Sequence, residues 1–82
     1  QLELNKSNRQ LLDAENKVNL SKLAYEQSQE AFRILQNRFT QGLEKTTDLL
    51  MSETQMAQKE LEYLQAVFEY NLTKQYLQFL TK

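Results

Sequence analysis

The chain contains no proline, cysteine, histidine or tryptophan, and it has a single glycine among its 82 residues. Each absence removes a class of function. With neither histidine nor cysteine, the usual nucleophile–base pairs and zinc sites are excluded. The lack of cysteine also rules out disulfides and thiol chemistry, although it leaves the compartment open. One glycine cannot build a phosphate-cradling loop. No run reaches the roughly 18 apolar residues of a bilayer-spanning helix. The formal charge is −1: residues 1–41 carry six basic and five acidic groups, residues 42–82 four and six. Neither half has the basic excess that a phosphate backbone demands, so nucleic acid is not an expected partner. A chain that opens on Gln1 rather than methionine is expected to be a processed chain or a piece of a larger protein.

What remains is rich in Leu, Gln, Glu, Lys and Ala, the composition of long helices. The lone glycine, Gly42, stands almost at the midpoint. Glycine readily takes the left-handed conformation that ends a helix. The expected fold is therefore all-α: one antiparallel coiled-coil hairpin with helices over about 1–41 and 46–81 and a turn at 41–45. Arms of this length run roughly 60 Å at 1.5 Å per residue. Two such rods bury only the seam between them and enclose no interior cavity.

The seam is written in heptads. Leu4, Leu11, Val18, Tyr25, Phe32 and Phe39 recur every seventh residue, and Ser7, Ala14, Ser21, Ser28 and Leu35 follow the first five at the d spacing. The second arm repeats the pattern with Leu49, Met56, Tyr63, Tyr70 and Leu77, followed by Ser52, Lys59, Ala66, Thr73 and Leu80. Small d residues let the partner helix approach closely. A further apolar stripe, Leu50, Ala57, Leu61, Leu64 and Phe68, lies on an adjoining face of the second arm, and beyond Leu61 apolar residues spread around the helix. A two-stranded hairpin covers one stripe and not that much surface, which predicts that this arm meets at least one further helix.

The turn has a mechanism at each end. With Gly42 at C′, Leu43 becomes C″ and is placed to pack back near Phe39, as in a Schellman stop. Arg38 in the last turn suits the helix dipole. Thr46 or Thr47 is expected to cap the second helix, leaving Asp48 in its first turn. The carboxylate pairs Glu26/Glu30 and Glu60/Glu62 are of the right type for acid–base work or metal binding, but an open rod gives them no pocket. They read as solvated helix faces, and since three of Tyr25, Tyr63, Tyr70 and Tyr76 lie at heptad or adjoining seam spacing, core packing accounts for the tyrosines better than a stacking platform. No enzyme activity, metal or cofactor is expected.

The stretch from Arg38 to Leu80 resembles the TolC family of bacterial outer-membrane efflux proteins. The residues that carry the resemblance are Arg38-Phe39, Gly42-Leu43, Asp48, Leu50, Gln55 and Ala57, then Tyr63-Leu64-Gln65-Ala66 and Tyr70, ending near Leu77. About half the chain is matched in this way, and the first arm fits through its heptads alone. The resemblance implies the periplasmic part of a Gram-negative outer-membrane protein: a homotrimer with a β-barrel and a long α-helical tunnel, each protomer supplying two hairpins. The return helix looks more like that of the second, C-terminal repeat. It further implies that the tip (Thr40, Gln41, Gly42, Leu43 and Thr46) docks a periplasmic adaptor, or membrane fusion, protein and through it an inner-membrane pump. Asp48 matches a tip aspartate that faces the pore in relatives. Glu44 departs from the pattern, standing close to where some relatives place a gate-holding arginine.

Two other readings are open to the sequence. One is an adaptor hairpin of the same assembly, although Arg38, Leu43 and Ser52 do not follow the Arg, Leu and Ser register of adaptor tips. The other is a structural coiled-coil spacer, against which the apolar breadth of the second arm argues.

Overall fold

A computed structural model describes residues 2–81, with side chains from Lys6 onward apart from Ser7 and Thr81. Gln1, Leu4 and Ser7, where the expected helix and its heptads begin, therefore lie outside the residues or side chains described. Among the described residues there are two helices, α1 over Leu2–Thr40 and α2 over Thr46–Thr81, joined by a turn. They fold back on each other as an antiparallel hairpin measuring 61 × 13 × 13 Å.

Burial follows the heptads. On α1 the shielded positions include Leu11, Ala14, Val18, Ser21, Tyr25, Ser28, Phe32 and Leu35. On α2 they include Leu49, Ser52, Met56, Tyr63, Ala66, Tyr70, Thr73 and Leu77. The two most deeply buried side chains are small ones at d, Ala66 at 1% exposure and Ser52 at 8%. Small side chains here let the backbones approach, while larger residues such as Tyr25, Phe32 and Tyr63 fill the seam at the alternate positions. Seam hydroxyls turn back on their own helix: Ser28 Oγ donates to the Tyr25 carbonyl at 2.6 Å, and Thr73 Oγ1 donates to that of Glu69 at 2.9 Å. This satisfies the donor without a partner across the interface. Lys59, at a d position, is half-buried and directs its amine to Glu62 at 3.6 Å. Its aliphatic stem lies on the seam while the charge reaches water.

Two heptad positions depart from the pattern. Phe39 and Leu80 are exposed, at 37% and 36%. Each lies at an end of its series. Phe39 stands in the last turn of α1, where the chain is leaving for the turn, and Leu80 lies in the last turn of α2.

Register across the hairpin is pinned at two heights by three contacts. Lys17 Nζ meets Glu69 Oε2 at 3.0 Å, the Tyr25 hydroxyl donates to Glu60 Oε2 at 3.0 Å, and the Tyr25 and Tyr63 rings stack.

Candidate functional site

The tip is closed by main-chain bonds of a Schellman motif. The Leu43 amide donates to the Arg38 carbonyl and the Gly42 amide to that of Phe39, both at 2.9 Å. Gly42 has φ 77°, and a Cβ added there meets nothing within 4 Å. Backbone conformation rather than space selects glycine at this position. Leu43 stays 64% exposed, so it clips the turn through its amide and leaves most of its side chain in water. Thr40 adds a local bond, its hydroxyl donating to the Asn37 carbonyl at 2.7 Å.

Helix α2 starts at Thr46 as expected, but its cap differs from expectation. The Lys45 carbonyl accepts the Leu49 amide at 3.2 Å, so Lys45 takes the N-cap position. Thr46 and Thr47 are already the first two residues of the helix. The chain enters the helical conformation one residue before a threonine side chain could cap it. Asp48 lies in the first turn, where its negative charge suits the helix dipole.

Thr40, Gln41, Gly42, Leu43 and Thr46 are all exposed around this tip. Asp48 is also exposed, but it lies lower, on one flank. There it shares a shallow open groove with Ala31, Leu35, Glu44, Met51, Ser52 and Gln55. Glu44 is the residue that sequence reasoning undervalued. Its side chain is only 15% exposed, and Oε1 lies 3.2 Å from Arg38 Nε. Opposite charges on either side of a helix-stopping glycine were the available signal.

A second candidate surface is the outside of the hairpin. On α2, Leu50, Leu61, Leu64, Phe68, Leu72, Tyr76 and Phe79 are exposed, Phe79 by 74%. On α1, Leu12, Leu20, Leu23 and Ile34 are exposed. In the register set by Lys17–Glu69 and Tyr25–Tyr63, Leu12 stands near the height of Tyr76, Leu20 near Phe68 and Leu23 near Leu64. Both arms thus carry outward apolar groups at matching levels along the rod.

Three of the four carboxylates in the Glu26/Glu30 and Glu60/Glu62 pairs are engaged in ordinary surface contacts, and Glu26 is exposed. Glu60 accepts from Tyr25, Glu62 pairs with Lys59, and Glu30 pairs with Arg33. The Arg33 hydrogen bond and charge hold the Glu30 carboxyl below its usual range. Among the described residues there is no cluster suited to a metal ion, and no helix is long and apolar enough to cross a membrane. No protein-family model matches the chain, and no curated protein or solved structure matches it significantly.

Proposed function

We propose that the chain is a periplasmic tunnel hairpin of a TolC-like outer-membrane efflux or export channel. Its outer faces pack against neighbouring hairpins of a homotrimer, and its tip docks a periplasmic adaptor that connects to an inner-membrane pump. It acts as conduit and docking element, with no bond made or broken.

The observation that carries this reading is the set of exposed apolar side chains at matching heights on the two arms. Hydrophobic burial is worth about 25 cal/mol per Å². A rod that leaves Phe68 and Phe79 of α2 and Leu20 and Leu23 of α1 in water is therefore suited to contact with further helices. A free-standing spacer has no use for such exposed apolar groups. The projecting Leu43, held by main-chain bonds yet largely unburied, supports the docking role of the tip. Asp48, on the flank beside Glu44, is the candidate pore-facing carboxylate in this reading.

The test is Leu43→Ser in the full-length parent protein. Docking through Leu43 predicts loss of export with helicity, trimer assembly and membrane insertion retained. Normal export by that variant at normal expression rejects the docking role.

A further inference from the structure

The tip has one side-chain link that the turn itself does not require. Arg38 engages the next segment twice: its carbonyl accepts the Leu43 amide at 2.9 Å, and its guanidinium Nε lies 3.2 Å from Glu44 Oε1. Two successive residues, 43 by main chain and 44 by side chain, are thus anchored on a single residue of α1. Holding the Leu43 amide on one side and the Glu44 side chain on the other limits rotation of the backbone between them, and with it the direction in which the Leu43 side chain leaves. Packing of the Leu43 side chain itself adds little, since Leu43 is 64% exposed and the space beside Gly42 is open. Glu44 is far better shielded than Arg38, with side-chain exposures of 15% and 55%. The carboxylate is folded inward against the hairpin and the guanidinium closes over it.

We propose that Arg38 and Glu44 are positioning residues that hold Leu43 in its projecting orientation and so preorganise the tip for docking. The proposal rests on the docking reading above and deepens it. A knob already ordered in the free protein loses less conformational freedom on binding, which favours affinity without any added contact. Neither Arg38 nor Glu44 has to touch the partner for this to operate.

The test uses the 82-residue chain, with amide hydrogen exchange at Leu43 as the local readout. Binding to the isolated helical-hairpin domain of a membrane-fusion adaptor is the functional one. Glu44→Gln keeps the side-chain shape and removes the charge, and Glu53→Gln on the exposed side of α2 is the control. At low salt, Glu44→Gln is expected to speed Leu43 exchange about two- to fivefold, the range of a single partly exposed ion pair, and to weaken adaptor binding by a similar factor. Wild-type exchange should rise towards the variant's in 1 M salt, where the Debye length is about 3 Å, while the variant should be insensitive to salt. The reversed pair, Arg38→Glu with Glu44→Arg, should restore part of the protection. Recovery stays partial because an anion then faces the helix C-terminus.

Unchanged exchange in Glu44→Gln overturns the proposal. So does faster exchange with undiminished binding, because the link then orders the turn without serving docking. A wild-type chain that fails to bind the adaptor hairpin overturns the docking reading itself and the positioning role with it. Wild-type binding matched by Glu44→Gln overturns the positioning role alone.

Discussion

Tyr25 and Tyr63 stack across the seam with ring centroids 6.2 Å apart and planes inclined by 23°, and the Tyr25 hydroxyl reaches past its partner to Glu60. Both rings occupy heptad positions. The contact fixes height along the rod as well as contributing to its burial. A slip by one residue would separate the rings and break the hydrogen bond together.

The Tyr25 hydroxyl gives the hairpin an alkaline signature. The hydrogen bond to Glu60 raises its pKa above the ordinary value near 10, with desolvation and the Glu60 charge acting in the same direction. A raised folded-state pKa means that the protonated hydroxyl stabilises the fold fully below the unfolded value and loses that contribution as pH climbs through the folded value. Denaturation at pH 8 and pH 11 should therefore show wild type more stable than Tyr25→Phe at the lower pH, with the gap narrowing at the higher. A gap independent of pH would show that the hydroxyl contributes nothing through Glu60.

Ala66 is the tightest point of the seam, at 1% exposure. Ala66→Leu forces four-carbon bulk between closely spaced backbones and should cost about 1–3 kcal/mol. For a chain of this size that lowers the midpoint of thermal unfolding by roughly 4–8 °C per kcal/mol. Circular dichroism melting reads it directly, and an unchanged midpoint would mean that the helices are not held together at this height.

Gly42→Ala should destabilise the hairpin by about 1–2 kcal/mol, because φ 77° is unfavourable for a residue with a Cβ. Gly42→Asn should cost less, since asparagine tolerates that conformation. Steric crowding is not involved, because the site is open. Equal melting temperatures for the glycine, alanine and asparagine chains would contradict the left-handed turn.

On the outer face, Phe68→Gln combined with Phe79→Gln should leave the hairpin folded, because both side chains already lie largely in water. The same pair should weaken self-association of the chain measured by sedimentation equilibrium. Association unchanged by the double substitution would show that this face is not the contact surface.

The heptads make the seam legible in the sequence, because a strict period of seven leaves few choices for what faces the partner helix. Among the described heptad residues they failed at Phe39 and Leu80, each in the last turn of its helix, since periodicity carries no information about where a pairing ends. Gly42 announced the turn through its backbone freedom, and the Schellman bonds follow from it. The capping threonines misled because N-cap preference is a side-chain statistic, whereas here the first helical bond goes to the Lys45 carbonyl. Glu44 was hidden for a related reason. As a charged residue in a turn it reads as solvated, and only the fold brings Arg38 over it.

The central claim is that both the tip and the outer faces are interfaces. It is tested most directly by placing a photo-activated cross-linking side chain at Leu43, and separately at Phe68, in the parent protein in living cells. The products are then identified by mass spectrometry. The expected result is a membrane-fusion adaptor attached at position 43 and another part of the channel itself attached at position 68. Clean insertion and expression with no adaptor product at 43 and no channel product at 68 would contradict it.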